Sequence, residues 1–235
     1  MLLSIIIPAY NEQHRIGSTL DKISQFLKNK EFLTEIIVVD DGSVDDTSSE
    51  VSKYRDKFQS FNLIKNDKNY GKGFSVKKGF LESKGELVLF TDADLSTPIE
   101  ELDDFLKLCA DYDLVIASRA IQGAKLTKRQ PFYREYLGRF LNIIIRVLLL
   151  KDFKDTQCGF KLFKKSSCEQ VFQALKTSGF MFDLEILVIA KIMNLKIKEK
   201  DVSWANSPET KVNLFSVFDM VKSFLDIFIR YRLKK

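Results

Sequence analysis

Two aspartates one residue apart, Asp92 and Asp94, flank Ala93 between the apolar run Glu86–Phe90 and Pro98. In extended backbone, residues i and i+2 project to the same side, so this pair can converge on one hard cation. Oxygen ligands suit Mg2+ or Mn2+, and Mg2+ takes one or two carboxylates together with substrate phosphates. The same acids would also cap a helix opened by Pro98, whose fixed φ suits a first helical turn. The spacing alone leaves both uses open. Other polar clusters follow other apolar runs: Asn11 and Glu12, Asp40 and Asp41, Ser118 and Arg119. Gly71-Lys72-Gly73 could cradle a phosphate, but it is neither a P-loop nor a dinucleotide fingerprint, and a tight turn before a helix is the simpler reading.

The elements that must position these residues alternate. Short β-prone runs at Leu2–Ile7 (stopped by Pro8), Glu35–Val39, Phe61–Ile64, Glu86–Phe90 and Leu114–Ala117 read as strands. Between them lie helical spacings: Ile16, Leu20, Ile23 and Leu27; then Val51, Tyr54 and Phe58; then a helix opened by Asn69–Gly73. This βαβαβ order predicts an α/β, Rossmann-like, mostly parallel sheet with helices on both faces. Ligands of such sheets bind beyond the carboxyl ends of the strands. Four polar clusters fall there in register, which points to a nucleotide-type site.

The 235 residues suit one α/β domain, and the net charge of +5 comes without a basic block interleaved with aromatics, so no nucleic-acid partner is expected. A single histidine, His14, excludes a His-based triad or zinc site. Cys109, Cys158 and Cys168 are widely spaced and odd in number, as expected of free thiols in a reducing, cytoplasmic compartment. The first residues read as a strand, without a basic leader or cleavage site. No run approaches the roughly 20 apolar residues of a membrane span.

Residues 1–205 form the expected domain, and 206–235 a basic amphipathic C-terminal element. Phe132–Leu150 has helical spacing with one narrow polar stripe, Glu135, Arg139, Asn142 and Arg146. In Val212–Leu233, Leu214, Phe218, Val221, Leu225 and Phe228 line one face, opposite Asp219, Lys222, Asp226 and Arg230. Both helices fit packing on the domain, packing on a second subunit in a homo-oligomer, or a membrane interface. The end, Arg230-Tyr231-Arg232-Leu233-Lys234-Lys235, suits anionic headgroups. Asp183 reads as an N-cap and Glu185 as a first-turn acid; inside a helix i and i+2 do not share a face, so the two would not act on one atom.

Pro8–Glu12, Asp40–Thr47, Asn69–Gly73 and Asp92–Asp94 resemble, in order, the motifs of family 2 glycosyltransferases with a GT-A fold. Asp155–Phe163 and Phe182–Ile186 are similar to signatures of the dolichyl-phosphate β-glucosyltransferase branch, extending the resemblance to about residue 205. It implies metal-dependent, inverting transfer of glucose from UDP-glucose to a dolichyl or polyprenyl phosphate at the cytoplasmic membrane face. Pro8, Tyr10 and Glu12 would hold the base and ribose, with Asp40 or Asp41 accepting from the base. Asp92 would sit near ribose and metal with Ala93 beside it, Asp94 would bind Mg2+ or Mn2+, and Lys72 would help neutralise the diphosphate. Arg119, foremost, and Arg134 would grip the acceptor phosphate, because guanidinium matches phosphate bidentately; Arg139, in the polar stripe, is a third candidate that could equally be a solvated or structural residue. In many relatives a carboxylate at the place of Asp183 and Glu185 is the base for a sugar hydroxyl. A lipid phosphate is already ionised and needs none, and with that acceptor the two acids would position groups without acting as a base. GDP-mannose as donor, a glycan hydroxyl as acceptor, and a non-catalytic nucleotide-sugar module are the rivals. A glycoside hydrolase is disfavoured for want of an evident acid–nucleophile pair.

Overall fold

The computed structural model describes residues 2–128, 148–206 and 214–233. Its elements in order are β1 Leu2–Ala9, α1 Ile16–Leu27, β2 Leu33–Asp40, α2 Thr47–Ser52, β3 Ser60–Lys65, α3 Lys72–Glu82, β4 Leu87–Thr91, α4 Leu102–Leu108, β5 Leu114–Ser118 and β6 Lys125–Lys128. There follow β7 Phe160–Lys164, α5 Lys165–Ala174, α6 Phe182–Ile192, β8 Ile197–Asp201, β9 Ser203–Ala205 and α7 Leu214–Phe228, which continues as a π-turn, Ile229–Leu233. Seven strands form one sheet in the order β3-β2-β1-β4-β7-β5-β8, and β6 and β9 pair beside it. All ladders of the large sheet are parallel except those of β7, which runs antiparallel between β4 and β5.

Side-chain alternation along buried strands sorts the core into two layers. Ile6, Val88, Phe90, Ile116 and Phe163 meet α3, α5, α6 and α7 on one face. Leu3, Ile5, Ile7, Leu89, Val115 and Leu162 meet α1, α2 and α4 on the other. The expected helices on both faces are thus present, and α1 buries its predicted Ile16, Leu20 and Ile23.

Several local expectations are corrected. β1 runs through Pro8, which pairs with Val39 of β2 but lies past the last β1–β4 pair, Ile6 with Phe90, where that ladder needs no donor. Tyr54 and Phe58 fall outside α2, whose end gives way to a 3-10 turn, Arg55–Lys57. α7 contacts the core through Phe224 and Ile227, whereas Phe218, Val221 and Leu225 are exposed. It is apolar around more than half its girth, so its pattern alone did not say which flank docks. Residues 132–147 of the Phe132–Leu150 helix, with Arg134 and Arg139, lie outside the described residues. Among those described, no helix is long and apolar enough to cross a membrane.

Candidate active site

Asp92 and Asp94 do not sit on extended backbone. β4 ends at Thr91, and the chain turns at once, with the Leu95 N–H donating to the Asp92 carbonyl at 3.1 Å. Buried Leu95 takes φ 45°, a left-handed conformation unusual for a branched residue and typical of strained functional turns. Asp94 caps this turn, its Oδ1 accepting from the Ser96 N–H at 2.9 Å, while Oδ2 faces Arg15 at 3.8 Å. Asp92 is held from the other side, its N–H donating to the Gly159 carbonyl at 3.1 Å. A Cβ at residue 159 would overlap the Asp92 carboxylate, which explains the glycine there. Ala93 is buried, and its carbonyl accepts from the Thr19 hydroxyl at 2.6 Å.

Cations close around this turn. Lys72, the first residue of α3, places Nζ 2.5 Å from Asp92 Oδ1, an oxygen that accepts no well-angled hydrogen bond. Burial opposes the charge on Lys72, but Asp92, then Asp183 and Asp94, outweigh it and hold its pKa above the ordinary lysine value. Arg119, just past β5, grips Asp155 as a fork, Nε to Oδ2 at 2.7 Å and Nη2 to Oδ1 at 3.0 Å. Its plane lies over Trp204, 5.3 Å from the ring centroid. Burial works against the charge of Asp155 too, yet Arg119 prevails and its pKa falls below the carboxylate norm.

The loops beyond β1 and β2 are knitted to each other. Asn11, at φ 54°, receives the Val44 N–H on Oδ1 and donates its own N–H to Ser43, and Glu12 N–H reaches the Thr47 hydroxyl at 2.7 Å. The Glu12 carboxylate faces Arg15. Asp40 accepts from the Ser43 N–H and the Ser48 hydroxyl. Asp41 accepts from Asn66 Nδ2 at 2.8 Å and from the N–H groups of Tyr70 and Gly71 at 3.1 and 2.7 Å. Both aspartates are 3% exposed, so they shape the loops a base would meet and present no open carboxylate. Pro8 is a buried strand residue, and Tyr10 stands partly exposed at the strand end. Gly71 and Gly73 make room for a neighbouring turn. A Cβ at either would come within 2.5–2.6 Å of the Ser178 or Thr177 carbonyl, and Gly71 has φ 103°.

The two acids of α6 part company. Asp183 Oδ1 accepts from Lys161 Nζ at 2.6 Å in a pair that is almost wholly buried. Burial, helped by Asp92, pushes the Asp183 pKa up despite Lys161 and Lys72. Asp183 therefore belongs electrostatically to the Lys72–Asp92 group. Glu185, 0% exposed, belongs to a different set: Oε2 accepts from the Thr177 and Lys176 N–H groups, and Oε1 from Arg230 Nη1 at 2.5 Å and the Tyr231 hydroxyl at 2.8 Å. Burial and this bond raise the Tyr231 pKa to about 12. Glu185, occupied on both oxygens, is a packing anchor in this geometry.

Sequence reading missed Lys161, Asp155 and Gly159 as individuals. A lysine inside the apolar strand Phe160–Lys164 was the available signal, because an unpaired ammonium there would be prohibitive.

A Rossmann-like sheet with acids and cations meeting past its strand ends defines an α/β fold with a nucleotide-type crevice. The model of the family "Glycosyl transferase family 2" matches residues 4–172, and the chain belongs to that family. A dolichyl-phosphate beta-glucosyltransferase of Dictyostelium discoideum is 38% identical over 98% of this chain and 75% of that protein. The Homo sapiens dolichyl-phosphate beta-glucosyltransferase is 32% identical over 97% of this chain and 75% of its own length. Among solved structures, glucosyl-3-phosphoglycerate synthase from Mycobacterium tuberculosis, in complex with Mn2+, UDP and glucosyl-3-phosphoglycerate, matches with a TM-score of 0.71 at 19% identity, over 98% of this chain and 79% of that one. Mannosyl-3-phosphoglycerate synthase from Rubrobacter xylanophilus gives 0.73 at 17% identity, over 98% and 73%. These structural likenesses establish the GT-A fold.

Proposed function

We propose that this chain transfers glucose from UDP-glucose to dolichyl or another polyprenyl phosphate, with inversion, at the cytoplasmic face of a membrane. The observation that carries the reading is the meeting of Asp92, Asp94 and Arg119, past β4 and β5, with Lys72 at the start of α3, in a chain whose relatives are dolichyl-phosphate beta-glucosyltransferases. A phosphate oxygen of the lipid would attack the anomeric carbon while the bond from that carbon to the UDP oxygen breaks, UDP leaving with the electron pair. Lys72, kept protonated by its acidic neighbours, lies where it can balance charge on the departing diphosphate.

The donor set fits a hard divalent ion. Asp94 is partly exposed and Asp92 Oδ1 has no hydrogen bond beyond the Lys72 ion pair. No group of three acidic, His or Cys side chains gathers among the described residues, so phosphate oxygens and water would complete the shell, as Mg2+ and Mn2+ favour. Asp94 would be the principal ligand with Asp92 beside it, and a bound ion would supply Lewis-acid stabilisation of the leaving group. Arg119 Nη1 lies outside the fork to Asp155 and is the acceptor-phosphate candidate, with Arg134 and Arg139 completing the sequence-derived set. The commitment of Glu185 to Arg230 and Tyr231 favours an acceptor that needs no base. The exposed row Phe218, Val221, Leu225 and Ile229 on α7, with Phe218 76% exposed, supports contact with a lipid surface beside the basic C-terminal residues.

Transfer of label from UDP-glucose to polyprenyl phosphate in detergent, with Mn2+, with EDTA and in Asp94→Ala, tests the reading. Metal-dependent label in the organic phase, reduced on the order of 10^3-fold in Asp94→Ala, is expected. Absence of lipid product with nucleotide-sugar binding intact would overturn the acceptor assignment.

A further inference from the structure

The C-terminal helix and the donor side of the site are joined by an unbroken set of polar contacts. The π-turn after α7 sends Arg230 and Tyr231 onto Oε1 of Glu185. Oε2 of the same carboxylate fastens the turn after α5 through the N–H groups of Lys176 and Thr177, at 3.2 and 2.6 Å. That turn presses on the start of α3: the Phe74 N–H donates to the Ser178 carbonyl at 3.1 Å, and the backbone comes so close that only glycine fits at 71 and 73. Lys77 adds a second tie, Nζ to the Leu175 carbonyl at 2.7 Å. Between the two glycines sits Lys72, whose Nζ meets Asp92.

We infer that Glu185 is a positioning residue that couples the docking of the C-terminal helix to the placement of Lys72 in the donor site. A fully buried carboxylate with two separate sets of donors fixes both at once, and releasing either leaves the other incompletely held. The turn at 176–179 has no strand or helix of its own, and it is held against Gly71–Phe74 by that carboxylate together with the Phe74 and Lys77 bonds. The contacts are contiguous, as physical coupling between distant elements requires. The coupling is to the donor side proposed above; its consequence for nucleotide binding rests on that reading, and its mechanical part does not.

The experiment separates the two. Hydrogen exchange is followed at the amides of residues 71–74 in the nucleotide-free protein, comparing wild type with Tyr231→Phe and with Arg230→Met/Tyr231→Phe. UDP binding in Mn2+, without lipid or detergent, is measured by calorimetry on the same samples, and both measurements are repeated on Asp226→Asn, a change at an exposed residue of α7 outside the lipid-facing row. Exchange at Phe74 is expected to quicken at least tenfold in the double variant and several-fold in the mild single one, and the Kd for UDP to rise about tenfold, with Asp226→Asn matching wild type in both. Wild-type exchange at 71–74 in a folded Tyr231→Phe, even if the double variant unfolds, overturns the coupling. Altered exchange in a protein whose wild type fails to bind UDP would uphold the coupling and sink the donor assignment instead.

Discussion

The two halves of the strand-end surface satisfy their acids in different ways. Beyond β1 and β2, Asp40 and Asp41 are met by backbone N–H groups, hydroxyls and an amide drawn from the loops they shape. Beyond β4, β5 and β7, acids are met by cations from other elements: Asp92 by Lys72, Asp155 by Arg119, Asp183 by Lys161 and Glu185 by Arg230. Loop donors are fixed with the backbone and hold one shape. A cation on a long side chain can shift when a phosphate competes for it or a metal competes for its carboxylate, without unfolding its element. The first half is a rim held by its own loops. The second is a charge lattice in which Lys72–Asp92 and Arg119–Asp155 are open to such exchange while the buried Lys161–Asp183 and Glu185–Arg230 pairs hold the frame, and chemistry with a charged donor belongs there.

The sharpest way to break this contrast is Lys161→Met. Removing the ammonium strands Asp183 in the core, so a loss of about 3–5 kcal/mol in denaturant unfolding is expected, with much of it recovered in Lys161→Met/Asp183→Leu. A loss no larger than that of a surface change would mean that the lattice contributes nothing to holding the sheet. On the rim, Asp41→Asn keeps shape but turns an NH2 donor towards groups that are themselves donors, the Tyr70 and Gly71 N–H and the Asn66 amide. A fall of about 1–3 kcal/mol and weaker nucleotide binding are expected, and an unchanged melting temperature would remove Asp41 from the rim. The smallest effect lies in acid. The depressed pKa of Asp155 means that its contribution is present above the unfolded value near 3.8 and fades as pH drops through its lower folded value. Stability should therefore fall more steeply below about pH 4 in wild type than in Asp155→Asn, and equal slopes in urea titrations would count against the Arg119 fork.

The rim was legible in advance because its residues are consecutive. Asp40–Thr47 and Pro8–Glu12 are local motifs, and the apolar runs that precede them placed them at the carboxyl ends of their strands. The lattice was only half legible, because its pairs join residues from 20 to 45 positions apart, as in Lys72 with Asp92 and Glu185 with Arg230. The resemblance named Asp92, Asp94, Lys72 and Arg119; for Glu185 it offered a base's role only with a hydroxyl acceptor, and the partners of Glu185 suit the positioning role expected with a lipid phosphate. β7 escaped notice as a strand because Lys161 interrupts its apolar pattern, and that lysine is tolerable only with the Cys158 carbonyl and the distant Asp183 to receive it. The docking flank of α7 was equally hidden, since both of its flanks are apolar.

The place of β7 has a consequence for the order of assembly. β4 and β5 are separated in sequence by little more than α4, yet they share no ladder; the strand that joins them arrives some forty residues later. A chain emerging in order can pair β1 with β2 and β4 as soon as they appear, but it holds β5 without a partner until Phe160–Lys164 is made. During that interval the outer side of β4 is an open, apolar template. Closing the sheet is a long-range event, and the growing protein is most exposed to wrong pairing in that window.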